Sequence, residues 1–269
     1  MSRIIFSNVN DKKIYKNIKD DYNKYFQIYN EYKGDHYSIS TFKKLKKETK
    51  NMIVYDNDII ANTGTLFYKD SIGSEALEKI YDSININNIN EISKNIFGNF
   101  SIIIKKGTNI YFFVDNMGIY KLYYSLIERE ITITNIFYNL AKNMENNLTI
   151  NEQSLLEDSF QYSILGEETF VNEIKRVSGN YIYKYDLIKK ELLLIEKELN
   201  IEGYNHEDIE KSAKYLSSII KDKIKIINNN FNNITINMTG GLDSRLILSA
   251  FLSEGIKPNI TYGIGDSPL

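Results

Sequence analysis

Apolar residues fall along this chain in short dense runs broken by polar turns, the rhythm of a strand-rich protein. Residues 100–105 and 109–114 are rich in Ile, Phe and Tyr and flank Lys106-Gly107-Thr108, a hairpin signal. Residues 52–55 and 58–61 flank Asp56-Asn57. Two further pairs, 120–125 with 130–134 and 180–185 with 191–196, repeat the pattern. Helical spacing interrupts these strands at 74–83 and 152–162. No proline precedes Pro258, so these turns must be made with Gly, Asn and Asp. Residues 1–196 therefore predict a strand-rich α+β domain.

The pattern then changes. From His206 to about Asn228, Ile209, Ala213, Leu216, Ile219, Ile220, Ile224 and Ile227 recur at three- and four-residue steps, one stripe of an amphipathic helix with Asn205 as its N-cap. A polar run leads to a strand at 234–238, a Gly-Gly turn, a helix from about Asp243 to Leu252 with Gly255 as its stop, and a second strand at 259–264. Helix, strand, glycine turn, helix and strand open a parallel α/β domain over residues 206–269, with the boundary near 197–205.

Composition mainly excludes. The chain of 269 residues carries a formal net charge of −2, which gives no broad field for nucleic acid or an anionic membrane. There is no cysteine, and only His36 and His206 are present, so thiolate or histidine metal sites and a histidine-based triad are not expected. Both histidines read as surface residues. No run approaches the roughly 20 apolar residues that span a bilayer, and the N-terminus lacks a signal-peptide core. The expected setting is cytoplasmic. The many tyrosines, at strand spacing, read as sheet packing.

The sharpest chemical feature is Thr239-Gly240-Gly241-Leu242-Asp243-Ser244, between a predicted strand and a predicted helix. Adjacent glycines let backbone approach a ligand, and the N–H groups and dipole of the helix start favour an anion. Thr239 and Ser244 add hydroxyls. No lysine follows, so this is not a Walker loop. The pattern matches the pyrophosphate loop of ATP-pyrophosphatases, with Thr239 in place of the first serine. Asp243 suits Mg²⁺ bridging the phosphates, since hard cations prefer carboxylate oxygen. Arg245 either reaches a phosphate or stands in solvent.

Other segments extend the match. Asp115-Asn116-Met117-Gly118-Ile119-Tyr120-Lys121-Leu122-Tyr123-Tyr124, Gly98-Asn99-Phe100, Glu168-Thr169-Phe170, Ile174-Lys175-Arg176-Val177 and Gly179-Asn180-Tyr181 fall in family order. On these residues the chain resembles the asparagine synthetases and their relatives, the β-lactam synthetases and lasso-peptide cyclases. The resemblance implies an N-terminal-nucleophile-hydrolase-like α+β sandwich, a class II glutamine amidotransferase domain. It is followed by the beginning of an α/β, Rossmann-like parallel sheet of the adenine-nucleotide-hydrolase type.

The resemblance also implies where chemistry is lost. Ser2 stands at the family's cysteine nucleophile position. Thr63-Gly64-Thr65 stands at its Asn-Gly-Glu, and Gly73-Ser74-Glu75 at its Asp-Ser/Thr-Glu. Glutaminase activity is therefore expected to be absent. The second domain is expected to use ATP and Mg²⁺ to activate a small-molecule or peptide carboxylate as an acyl-adenylate, with Met238 and Ile264 beside the adenine. The family's later acidic and lysine residues would lie beyond Leu269, so a second chain completing the sheet is an expected partner. The competing readings are a non-catalytic remnant or interaction module, and a transfer-RNA-modifying pyrophosphatase. The latter is disfavoured by the first-domain match and the lack of a basic patch.

Overall fold

The computed structural model describes residues 2–8, 13–43, 50–84, 89–144, 148–198 and 208–262. The chain divides into two compact units, Met1–Leu199 and Asn200–Leu269.

The first unit contains β1 (Arg3–Ser7), α1 (Lys13–Asn23), β2 (Gln27–Lys33), β3 (Ser38–Lys43), β4 (Met52–Tyr55), β5 (Asp58–Tyr68), β6 (Ser71–Ile72), α2 (Gly73–Ser83) and α3 (Ile89–Lys94). After these come β7 (Ile96–Lys106), β8 (Asn109–Val114), β9 (Tyr123–Ile127), β10 (Glu130–Thr134), α4 (Phe137–Lys142), α5 (Glu152–Gln161), β11 (Lys175–Arg176), β12 (Tyr181–Asp186) and β13 (Glu191–Glu196). The strands form two antiparallel sheets, ordered β11-β9-β10-β1-β3-β2 and β13-β12-β8-β7-β5-β4, with β6 paired to β5.

The sheets stack face to face. Ile4, Phe6, Ile39 and Ile133 from the first meet Ile103, Phe112, Val114 and Tyr183 from the second in one buried cluster. On the outer face of the second sheet, Ile102, Ile104 and Phe113 pack against Leu77, Ile80, Ile89 and Ile92 of α2 and α3. On the outer face of the first, Ile5 and Phe42 pack against Tyr15, Ile18 and Tyr22 of α1 and Leu140 of α4. The unit is thus an α+β sandwich of four layers. Because helices cover both outer faces, central strands are apolar on both sides. This accounts for the uninterrupted Ile102-Ile103-Ile104 run in an antiparallel sheet, where one-sided burial would give alternation.

The four expected strand pairs are present with the expected partners. Several boundaries differ, most of all that of β5, expected at 58–61, which runs on to Tyr68 along β7. β9 begins at Tyr123 rather than at 120, because the Asp115 carboxylate accepts the N–H groups of Ile119 and Tyr120 and holds that stretch as a loop. β7 begins at Ile96, with Gly98 (φ 111°) inside it, opposite Leu66 on β5.

The second unit contains α6 (Ile209–Asn230), β14 (Thr235–Met238), α7 (Leu242–Ser253) and β15 (Asn259–Tyr262). β14 and β15 pair in parallel, as expected for the opening of an α/β sheet. Ile224, Ile236, Ala250 and Phe251 form its buried core. The N-cap of α6 is Asp208, whose side chain accepts the Lys211 N–H at 2.9 Å; the expected cap Asn205, with His206, lies outside the described residues. Gly255 (φ 72°) follows α7 and stops it. No helix among the described residues is long and apolar enough to cross a membrane.

Candidate functional sites

The loop of the second unit leaves β14 at Met238 and enters α7 at Leu242. Thr239 Oγ1 and Ser244 Oγ lie 3.2 Å apart, and the N–H groups of Thr239 and Gly241 donate to Ser244 Oγ (3.2 Å) and Thr239 Oγ1 (3.3 Å). The two hydroxyls therefore tie strand end to helix start. Arg245 folds back, donating through Nη2 to the Gly240 carbonyl (2.8 Å) and through Nε to the Gly241 carbonyl (3.2 Å). The residue is exposed on α7, as one of its two expectations had it, and it also braces the loop. α7 opens without a side-chain cap, so its first N–H groups remain open to an outside acceptor.

The glycines test the fit to a polyphosphate. A Cβ on Gly240 would meet nothing within 4 Å, and one on Gly241 only Thr239 Oγ1 at 3.4 Å. Neither glycine lies in the left-handed region. Chain packing and backbone conformation thus leave both free to be larger. Close approach by something outside the described chain is the remaining physical reason for glycine. Asp243 stands exposed in the first turn of α7 with no ion pair among the described residues. The residues present fit a phosphate chain and an accompanying divalent cation. Ile264 lies outside the described residues; Met238 ends β14 directly before the loop.

The second site lies at the edge of the sandwich in the first unit, a cleft of about 790 Å³ beside Ser2. Ser2 Oγ accepts the Gly64 N–H at 3.3 Å. The Ser2 carbonyl accepts from Asn135 Nδ2 (3.1 Å) and the Tyr120 hydroxyl (3.3 Å). Gly64 has φ 86°, and a Cβ there would stand 2.2 Å from the Asn99 carbonyl oxygen. That position admits glycine alone. The Asp115 loop shapes the opposite wall: its carboxylate fixes Ile119 and Tyr120, and Gly179 lets the chain pass against the Asn116 carbonyl, which a Cβ would approach to 2.4 Å.

Thr63 points away from the cleft, buried and bonded to Ser101 Oγ at 2.7 Å. Glu75 is engaged by Lys79 (2.7 Å) and Ser71 (2.8 Å), which lower its pKa, and it does not line the cleft. Among the described residues, no carboxylate lines this cleft. Sequence reasoning singled out Ser2 and residues 63–65 for this site; it named Asn99 and Lys121 only within segments of the resemblance and did not single out Arg3. These three meet only through the fold, and the signal available was the pair Gly64 and Gly98, each required where β5 and β7 run together.

The family segments around residues 168–181 are structural. Thr169 is buried, donating toward the Ile174 carbonyl at 2.7 Å, and Glu168 pairs with Lys175 at 2.6 Å.

No protein-family model matches the sequence, and no curated protein matches it. Solved structures similar to this chain include two enzymes. One is the glutamine phosphoribosylpyrophosphate amidotransferase of B. subtilis complexed with ADP and GMP. It has a TM-score of 0.45 and 8% identity over 98% of this chain and 66% of that one. The other is described as the allosteric regulatory enzyme of purine biosynthesis, with a TM-score of 0.42 and 9% identity over 100% of this chain and 61% of that one. The chain therefore spans less than two thirds of either protein's length. The α+β sandwich itself rests on the strand order and layers given above.

Proposed function

We propose that this chain is the amidotransferase-like and nucleotide-binding part of an asparagine-synthetase-like, ATP-dependent amide-bond-forming enzyme whose glutaminase activity is lost. The second unit binds the phosphates of ATP through residues 239–244. Mg²⁺ held beside Asp243 would offset phosphate charge there as the α–β bond breaks and a carboxylate is adenylated. In the first unit Ser2 keeps a hydroxyl beside the Gly64 N–H, but among the described residues no acid lines the cleft to hold a substrate ammonium group.

The observation that carries this reading is the pair Gly240-Gly241, glycines that the chain's own packing does not require, at the junction of a parallel strand and an uncapped helix. The test is titration of the full chain with ATP, with and without Mg²⁺, followed by calorimetry. Binding with Kd on the order of 10⁻⁵ to 10⁻³ M is expected. Gly240→Val should abolish it without lowering thermal stability, and Asp243→Asn should remove its Mg²⁺ dependence. Unchanged ATP binding in Gly240→Val would refute the assignment.

A second reading, a non-catalytic interaction module, is favoured by the apolar stripe of α6. Ile209 and Leu216 are 82% and 51% exposed, and only Ile224 of that helix is buried. Retained ATP binding without pyrophosphate release on any carboxylate, neighbouring gene products included, would favour it.

A further inference from the structure

The Ser2 cleft carries an inference independent of the nucleotide loop. Arg3 and Lys121 line it, and neither forms an ion pair among the described residues. Nearby cations elsewhere on this face are matched: Lys24 and Lys142 both pair with Asp21. The cleft thus carries two cations without an ion pair among the described residues; Arg3 also borders the adjoining pocket of Asp21, its guanidinium 4.6 Å from the centre of the Phe26 ring.

Lys121 makes one hydrogen bond, from Nζ to the Gly118 carbonyl at 2.9 Å. Burial, and then the Arg176 guanidinium, lower its pKa, with Asp115 opposing weakly. Asp115 and Lys121 form no ion pair among the described residues; the Asp115 carboxylate faces the Ile119 and Tyr120 N–H groups. An anion entering the cleft would supply the missing charge.

The remaining wall chooses the kind of anion. Tyr120, Tyr123 and Phe137 give the cleft an aromatic side, with the Tyr123 and Phe137 rings 5.7 Å apart. Three backbone N–H groups beside the cleft are already used, Gly64 on Ser2 Oγ, and Ile119 and Tyr120 on Asp115, whereas Phe137 and Tyr138, which also line it, open α4 without a side-chain cap. Besides these the cleft offers two cations, side-chain donors at Ser2, Thr65 and Asn99, and an aromatic wall. A ligand ammonium would sit beside two positive charges with no carboxylate to receive it.

We propose that this cleft binds a small organic carboxylate with an apolar or aromatic body and no ammonium group. Its size is within the ordinary range for small-molecule sites, roughly 300–1,000 Å³. In this reading the first unit is a ligand-sensing or substrate-holding site and does not cleave an amide.

The test is calorimetric titration of the full chain with four probes: 3-phenylpropionate, L-phenylalanine, 3-phenylpropanamide and inorganic phosphate. 3-Phenylpropionate is expected to bind with Kd of about 0.1–1 mM. The other three should bind at least about tenfold more weakly, for lack of tolerated charge, of charge, or of an apolar body. Lys121→Gln, which keeps a donor for the Gly118 carbonyl, should weaken 3-phenylpropionate at least about fivefold with the melting temperature unchanged. Thr65→Asp should reverse the preference toward L-phenylalanine. L-Phenylalanine or L-glutamine binding the native chain as tightly as 3-phenylpropionate would overturn the proposal. So would indifference to Lys121→Gln, or no binding at about 10 mM. Phosphate matching the carboxylate would overturn the assignment of an apolar body.

Discussion

The Asn8 amide donates to the Tyr185 hydroxyl at 2.9 Å, joining the end of β1 in one sheet to β12 in the other. The Tyr185 hydroxyl in turn donates to the Arg129 carbonyl at 2.6 Å, and Asn8 Oδ1 accepts the Ile131 N–H at the same distance. Tyr185→Phe keeps the ring but leaves a buried amide and a carbonyl without partners. It is expected to cost about 1–3 kcal/mol in urea melts. A cost below about 0.5 kcal/mol would mean that water replaces the hydroxyl.

Two left-handed glycines separate packing from conformation. Gly107 has φ 58° with nothing within 4 Å of an added Cβ, whereas Gly64 has φ 86° and a carbonyl oxygen at 2.2 Å. Gly107→Ala should cost about 1 kcal/mol. Gly64→Ala should cost more than about 3 kcal/mol, because β5 and β7 must separate to admit the methyl. Equal costs measured by denaturant titration would contradict the clash.

Lys197 is buried. It donates to the Val114 carbonyl at 2.6 Å and to Asn116 Oδ1 at 3.3 Å, and its ammonium lies 5.2 Å from the centre of the Phe113 ring. Burial pulls its pKa from 10.5 down to about 8, opposed by the charge of Asp115. Below pH 8 the ammonium is charged in both folded and unfolded chains, and its burial works against the fold. Between pH 8 and 10.5 the folded form loses its proton first. The unfolded chain then holds more protons, and stability rises with pH by up to about 3 kcal/mol. Tyr15 and Tyr22, whose burial raises their pKa, act in the opposite sense above about pH 10. Urea midpoints from pH 7 to 9.5 should climb in the native chain and stay level in Lys197→Met.

Asp115→Asn offers one acceptor oxygen where two N–H groups now bind the carboxylate. The expected loss is about 1.5–3 kcal/mol. Loosening of Tyr120 should also weaken any ligand of the Ser2 cleft. An unchanged Tm in a thermal melt would count against the clamp.

Local chemistry made much of this readable in the sequence. Asp56-Asn57 and Lys106-Gly107-Thr108 announce their hairpins because turn residues act within a few positions. The first fifty residues do not announce theirs. β1 is five residues long, and β3 carries buried Ser38, Ser40 and Thr41, so neither period nor polarity marks them as interior. The Ser40 hydroxyl is acceptable inside because it has a long-range partner, the Tyr15 hydroxyl at 2.5 Å, whereas Thr41 Oγ1 is buried without a hydrogen bond among the described residues. In α6 the periodicity gave the helix but not its surroundings, since a stripe reports amphipathicity and not what covers it. The nucleotide loop is six consecutive residues and is legible as such. The Ser2 cleft draws on residues from 2 to 138, and its charge balance exists only after folding.

The interior place of β1 in its sheet also bears on how the protein is made. Its neighbours are β3 and β10, so Ile5 is paired with both Ser40 and Thr134. A ribosome adding about 5–20 residues per second reaches Ser40 within seconds of Ile5, but Thr134 only some 6–26 s later. Throughout that interval one edge of β1 has no native partner and is open to other nascent chains. β1 is made long before β10 and is enclosed only when β10 arrives.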